Sequence, residues 1–230
     1  MPDVGVVIPA AGRGRRMGGR IPKQFLMLDG VPILLRSVDV FARRRDIRQV
    51  VLVVPGAHRR RVERMLRGYR HRSKVSIVAG ARVRQESVRA GIEALEASVA
   101  IVLVHDAVRP LVRPEVVAEV IRCARRYGAS LAGSPVRDTI KKEGRREFAT
   151  ETVPRERLWA VQTPQGFRRE LLERAHRRAR RDGFVGTDEA SLVERLHIPV
   201  RIVRSGPENV KITVPGDLRM AVFLLKSRKR

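Results

Sequence analysis

Apolar positions follow two different spacings along the chain. Residues 4–8, 50–54, 75–79 and 99–104 are short runs rich in Val and Ile without strict alternation. A strand covered on one face alternates apolar and polar side chains, whereas a strand covered on both faces reads as a continuous apolar run. These four segments therefore predict strands of a parallel sheet. Residues 33–44, 58–69, 87–97 and 114–127 instead place apolar side chains at helical spacing, the last opening on Pro114, which suits a first helical turn. Strand and helix alternating in this way predict an α/β chain, Rossmann-like, with a mostly parallel twisted sheet and helices on both faces. Ligands of such sheets bind beyond the carboxyl ends of the strands, near the point where strand order reverses.

The alternation lapses after Pro135. Residues 138–153 are polar and β-prone around Gly144, which predicts a hairpin projecting from the body. Its sparse apolar side chains cannot form a core, so it is expected to pack on something else, a second subunit foremost. Helical spacing resumes at 169–181 and 189–196, a strand follows at 200–203, and residues 216–226 form a closing helix. The expected organisation is one domain over residues 1–230 with a β-arm inserted at 137–155.

Composition narrows the class. Hydrophobic residues make up 43% of the 230, enough for a globular core. No apolar run approaches the roughly 18 residues of a membrane span, and no leader pattern precedes the first strand. Cys123 is the single cysteine, so neither an intrachain disulfide nor a cysteine metal cluster can form. A cytoplasmic protein with no membrane partner is expected. The formal charge of +25 raises nucleic-acid binding. However, seven of the 49 basic residues are Lys and the rest Arg, with runs at 43–45, 59–61, 177–178 and 180–181, at the ends or outer faces of helical segments. Aromatics are 4% of the chain and do not interleave with these runs, so stacking platforms are scarce. The excess is read as solvated surface, with no specific nucleic-acid partner.

Candidate chemistry lies in two clusters. After the first strand comes Pro9-Ala10-Ala11-Gly12-Arg13-Gly14-Arg15-Arg16-Met17, then Pro22-Lys23-Gln24. Glycines admit backbone N–H groups to a polyphosphate, the small Ala10 and Ala11 leave room for a flat base, and Arg16 and Lys23 can grip phosphates. The pattern is neither the GxxxxGK[ST] loop nor the full dinucleotide fingerprint. The second cluster is His105-Asp106-Ala107-Val108-Arg109-Pro110, which puts a carboxylate at the end of the fourth strand, where it would meet Mg2+ or sugar hydroxyls. Arg109 is either its ion-pair partner or a phosphate ligand, and His105 reads as a packed, hydrogen-bonded residue.

These clusters, together with Phe25, Ser87-Val88, Pro135-Val136-Arg137-Asp138-Thr139, Thr163-Pro164-Gln165-x-Phe167, Thr187-Asp188-Glu189-Ala190-Ser191 and Asn209-Val210-Lys211-Ile212-Thr213, resemble the 2-C-methyl-D-erythritol 4-phosphate cytidylyltransferase family of the non-mevalonate isoprenoid pathway. The resemblance covers nearly the whole chain. It implies a nucleotidyltransferase fold, transfer of CMP from CTP to methylerythritol phosphate by in-line attack on the α-phosphorus, and a requirement for Mg2+. It also implies a homodimer in which the arm reaches the neighbouring subunit. On it, Arg16 and Lys23 stabilise the transition state, and Arg155 and Lys211 hold the acceptor phosphate. Pro9, Ala10, Ala11, Gly12, Gly14, Arg15, Gly80, Ala81, Ser87, Asp106 and Ala107 line the nucleotide. Asp106, Arg109, Thr139, Arg155, Thr163, Thr187 and Lys211 bind substrate. Mg2+ is held mainly through the CTP phosphates, with Asp106 as a possible protein ligand.

Ala81 stands where the family usually has a second glycine, and Arg82 where an acidic or small residue is expected. On plainer readings Ser87 is a helix cap, Thr187 caps the helix after it, Lys211 and Arg155 are surface charges, and Trp159 packs at the arm base. The rival enzyme is ribitol-5-phosphate cytidylyltransferase, against which Thr187-Asp188-Glu189-Ala190-Ser191 weighs. The rivals from other classes are a nucleic-acid-binding protein and a CTP-binding regulatory homologue without turnover. The chain's end at Arg230 gives an expectation of no fused cyclodiphosphate synthase.

Overall fold

The computed structural model describes residues 2–12 and 21–228. Its frame is a seven-stranded sheet formed by β1 (Val4–Pro9), β4 (Ile47–Val54), β5 (Val75–Ala79), β6 (Ile101–Val104), β7 (Ala129–Pro135), β10 (Trp159–Arg168) and β11 (Arg201–Arg204), in the order β11-β7-β10-β6-β1-β4-β5. Neighbouring strands run parallel except for β10, which is antiparallel to both β6 and β7. The chain lays β4 and β5 on one side of β1 and then returns to place β6 on the other, so strand order reverses between β1 and β6.

The central strands β1, β4 and β6 bury both faces. Val4, Val6 and Ile8 join a core with Leu34, Val38 and Phe41 of α1 (Ile33–Ala42), Val62 of α2 (Arg59–Met65), and Val117, Val120 and Ile121 of α4 (Pro114–Tyr127). Val7, Val51 and Val53 point the other way, against Val88 and Ile92 of α3 (Arg84–Glu93), Leu172 and Ala175 of α5 (Arg169–Arg181), and Leu192 of α6 (Glu189–Glu194). Fully burying one such side chain stabilises the fold by about 1.5–3 kcal/mol, which fixes the strands' register. On α3, a Cβ at Gly91 would collide with Val7 and stand 2.9 Å from Val53, so glycine there seats the helix against the sheet. A satellite cluster packs α7 (Pro215–Ser227) through Ala221 against Leu28, Ile33, Leu111 and Ile212.

The projecting hairpin is present. β8 (Ile140–Glu143) pairs antiparallel with β9 (Ala149–Val153) between the facing ends of β7 and β10. Residues 141–152 are exposed apart from Gly144, and Phe148 at the tip is 70% exposed. Trp159 starts β10 at the arm base under the Arg204 guanidinium.

Several elements differ from the sequence expectation. β7 and β10 carry no apolar run: β7 is built from small residues, and β10 has Pro164 inside it, which argues against a strand. The ladder to β7 breaks between Val161 and Gln165, which accommodates the proline and frees Gln162 and Thr163 for side-chain bonds. A two-stranded hairpin, β2 (Met27–Leu28) with β3 (Val31–Pro32), turns through Asp29 and Gly30 at φ 49° and 77°, the backbone that an Asp-Gly pair favours. α3 starts three residues before the expected 87, and α2 is shorter than 58–69. The arginine runs lie on helix faces beside carboxylates: Arg59 bonds Glu63, while Arg178 and Arg195 share Asp182. Among the described residues no helix is long and apolar enough to cross a membrane.

Candidate active site

A cleft of about 940 Å³ opens over the carboxyl ends of β1, β4, β5 and β6, at the reversal of strand order. Its lining includes Pro9, Ala10, Ala11, Gly12, Lys23, Gly80, Ala81, Ser87, Asp106, Ala107 and Lys211, which the structure thus brings together from distant segments of the chain.

One wall is the chain leaving β1. The Ala10 N–H donates to Val53 O at 2.8 Å, and the Gln24 side chain donates to Ala10 O at 2.8 Å. The second bond ties the Lys23–Phe25 turn to the strand end and places Lys23 on the cleft. Phe25 anchors that turn, edge-on to His58 and beneath the Arg61 guanidinium. Beside it, the loop after β5 also lines the cleft. A Cβ on Gly80 would stand 3.2 Å from Ala11 Cβ and 3.4 Å from Ser87 Oγ, so the small residues of the two loops meet at the floor.

Ser87 does not cap α3. It is the fourth helical residue, Val83 is the N-cap, and the serine hydroxyl works within the loop. It accepts the Ala81 N–H at 3.0 Å and places its own proton between Val83 O (3.1 Å) and Ala81 O (3.2 Å). The helix starts early because this bond back to Val83 closes its first turn. Ala81 has no positive φ, so it replaces a glycine without backbone strain.

Asp106 is the electrostatic centre. Its Oδ2 lies 3.0 Å from Lys211 Nζ and 3.2 Å from Arg109 Nε. Burial opposes ionisation of this carboxyl, but Lys211, Arg109 and Arg84 outweigh it and hold its pKa down at about 2. Arg109 is itself buried and donates to Asn209 O at 2.7 Å; the Ile212 N–H donates to Val108 O. These bonds fasten the 209–213 segment beside β6 and so deliver Lys211 to Asp106.

His105 is a structural histidine. Its ring is fully buried, edge-on to Phe41, and burial pushes its pKa down to about 4. The carbonyl of Arg109, 3.0 Å from Nε2, can only accept, so Nε2 carries the proton. Nδ1 then accepts from Thr163 Oγ1 at 3.1 Å, and Thr163 accepts the Asp106 N–H at 3.0 Å. Both ring nitrogens are occupied.

A second buried carboxylate stands nearby. Glu189, 1% exposed, receives two bonds from Arg84, Nη1 to Oε1 at 2.8 Å and Nη2 to Oε2 at 3.0 Å. Burial presses the Arg84 guanidinium toward neutrality, and Glu189 more than offsets this. Arg84 lines the cleft.

Not every expected residue lines the cleft. Arg109 and Thr163 lie buried behind Asp106, as braces of its loop. Thr139 and Arg155 are exposed at the arm base, where Arg155 donates to Arg137 O. Thr187 is exposed and does not cap α6: Asp188 does, accepting the Ser191 N–H at 3.0 Å, because its carboxylate reaches that donor from the N-cap position. Gly14, Arg15 and Arg16 lie outside the described residues. Sequence reasoning missed Arg84, His58 and Pro55 as lining residues. Arg84 lies between Ala81 and Ser87, but its buried partner is 105 residues away and leaves no local signal.

Backbone and lysine at the switch point of a mostly parallel sheet, in one cleft with a buried ionised carboxylate, suit an enzyme that handles nucleotide phosphates. A family model described as IspD, 2-C-methyl-D-erythritol 4-phosphate cytidylyltransferase, matches residues 4–227. Proteins of that description from Acidobacterium capsulatum and Geobacillus kaustophilus are 45% and 44% identical, the first covering 97% of each chain and the second 96% of each. The crystal structure of the Thermus thermophilus protein of that description is similar at a TM-score of 0.80 and 36% identity, over 97% of this chain and 99% of that one. The chain belongs to the 2-C-methyl-D-erythritol 4-phosphate cytidylyltransferase family and is an enzyme of that class.

Proposed function

We propose that the cleft binds CTP and that a methylerythritol phosphate held by Lys211 attacks the α-phosphorus in line. One phosphate oxygen forms the new P–O bond, the bond to the β-phosphate bridging oxygen breaks, and pyrophosphate leaves with that electron pair. The observation that carries this reading is the pairing of Lys211 with an Asp106 that its cationic neighbours hold ionised at neutral pH, in a cleft that Lys23 also lines. The nucleophile is already an anion at neutral pH, so the step needs positioning and charge stabilisation rather than a general base. His105, with both nitrogens engaged, is consistent with that. Lys23 and Arg16 would stabilise the charge building on the α-phosphate and the leaving group.

Ser87 has spent its one proton within the loop, so its remaining lone pair can only accept. An acceptor suits the exocyclic amine of cytosine and disfavours the carbonyl of uracil. Mg2+ would neutralise charge on the triphosphate. Among the described residues no group of three or more His, Cys, Asp or Glu side chains could cage a metal, so the protein fits an ion carried on the phosphates with Asp106 as its one cleft carboxylate. Thr139 and Arg155 stand outside the cleft of their own chain on an arm without a core. A homodimer in which each arm completes the neighbour's acceptor site, in the cytoplasm, accounts for both features.

The test is pyrophosphate release from CTP with each polyol phosphate, with and without Mg2+. Release dependent on Mg2+ and on methylerythritol phosphate is expected; faster turnover of ribitol 5-phosphate would replace the acceptor.

A further inference from the structure

The loop that carries Asp106 is held in a closed ring of hydrogen bonds. The His105 Nε2–H donates to Arg109 O at 3.0 Å, and Arg109 Nη1 donates to Asn209 O at 2.7 Å. Asn209 Nδ2 donates to Thr163 O at 2.9 Å, and the Thr163 hydroxyl donates back to His105 Nδ1 at 3.1 Å. Each of these residues is at most 9% exposed. Asp106 is fixed to the ring at both ends: its N–H donates to Thr163 Oγ1 at 3.0 Å, and its Oδ2 accepts from Arg109 Nε at 3.2 Å. The contact that reaches the cleft is the one from Lys211 Nζ to the same Oδ2, and the Lys211 side chain is 45% exposed. A long side chain that open to water has many rotamers to choose from, so the direction of Lys211 depends on where the ring holds the carboxylate.

The protons in the ring run one way only. Arg109 O has no proton to give, so His105 donates through Nε2 and accepts through Nδ1. Burial among apolar groups, edge-on to Phe41, keeps the imidazole neutral at pH 7. Thr163 therefore spends its single proton on the imidazole. Its oxygen is left to accept the Asp106 N–H and has no proton for a substrate oxygen. Neither His105 nor Thr163 lines the cleft.

We infer that His105 is a positioning residue of the transfer reaction: by taking the Thr163 proton it leaves Thr163 Oγ1 to hold the Asp106 backbone, and so sets the carboxylate that aims Lys211 at the acceptor phosphate. This rests on the reading of Lys211 as the grip on that phosphate. The two ring nitrogens can be tested apart. His105→Asn puts an amide oxygen near the place of Nδ1 and keeps an acceptor for Thr163. His105→Gln puts an amide nitrogen near the place of Nε2, keeping the donor to Arg109 O and losing that acceptor. Thr163→Ser keeps the hydroxyl, and Thr163→Val removes it at nearly unchanged shape. His105→Gln and Thr163→Val are each expected to raise the KM for methylerythritol phosphate about fivefold, as for the loss of one hydrogen bond. The KM for CTP and kcat should stay within about twofold, as should the acceptor KM of His105→Asn and Thr163→Ser. The His105→Gln, Thr163→Val double variant should be no worse than Thr163→Val. Equal rises in both KM values, a lower melting temperature with both unchanged, additive losses in the double variant, or His105→Gln behaving like His105→Asn would each overturn the inference. Thr163→Val against Thr163→Ser answers the question alone if the His105 variants fail to fold. Lys211→Ala tests the underlying reading separately: an acceptor KM unchanged there would remove Lys211 from the acceptor whatever the His105 variants do.

Discussion

Around Asp106, buried side chains from three segments bond to one another or to one another's backbone: His105 and Arg109, Thr163, and Asn209 each reach the next within 3.2 Å. Along the arm the reverse holds. Its cross-strand contacts are exposed pairs such as Lys141 with Thr152 and Lys142 with Glu151, and its largest apolar side chain, Phe148, faces outward. The cleft carries its organisation within one chain, while the arm has no core of its own, and it is only in the proposed dimer that its shape has a use. The difference separates two kinds of expected site residue: those the fold already aims, such as Lys23 and Lys211, and those it presents without a target, Thr139 and Arg155.

The sharpest way to break this contrast is at Lys23. Removing one preorganised charge contact from a transition state costs on the order of 10²–10³ in rate, so Lys23→Ala is expected to lower kcat by that factor with an unchanged melting temperature. A comparable loss of stability instead would mean the turn serves folding. Asp106 tests the bonded network itself. Asp106→Ala leaves Arg109 buried and unpaired, and breaking a buried pair costs about 3–5 kcal/mol, which a urea titration would read; a loss below about 1 kcal/mol would show that water already screens the cluster.

Acidification should act on the body before it acts on Asp106. Burial depresses His105 and the buried His176 of α5 to about 4, below the ordinary 6.5, so the unfolded chain takes up protons first. Their contribution is complete above about 6.5 and is lost as pH falls to about 4, by roughly 2–3 kcal/mol per histidine. Asp106, held near 2, adds its loss only below about 4. Urea midpoints that stay flat from pH 7 to 4.5 would contradict this. The smallest effect belongs to the arginine faces: Arg177, 71% exposed and 3.9 Å from Glu173, should change stability by less than about 0.5 kcal/mol when replaced by Ala.

Sequence patterning revealed the elements whose burial is two-sided, because continuous apolar runs leave a strong signal. It missed β7 and β10, where small residues and Pro164 give no such run, although β10 supplies Thr163 to the site. The Asp29-Gly30 turn carried a readable signal that the apolar pattern alone passes over. Lys23, Asp106 and Lys211 were legible from motif residues. The ion pair of Arg109 with Asp106 was legible at its spacing of three, but the bond that fastens Arg109 to Asn209 and the one that braces Arg84 on Glu189 join residues about 100 apart, which spacing along the chain does not encode.

The most direct test of the division between cleft and arm mixes two inactive enzymes. Lys23→Ala disables the cleft of its own chain, and Arg155→Ala disables the arm offered to a neighbour. If each site joins one chain's cleft to the other's arm, random exchange of subunits should restore about a quarter of the sites, as expected for a twofold-symmetric dimer, and pyrophosphate release should recover to about that level. Activity that stays at the level of the separate variants after verified subunit exchange would place Lys23 and Arg155 in the same chain's site, or Arg155 in none, and would contradict the account.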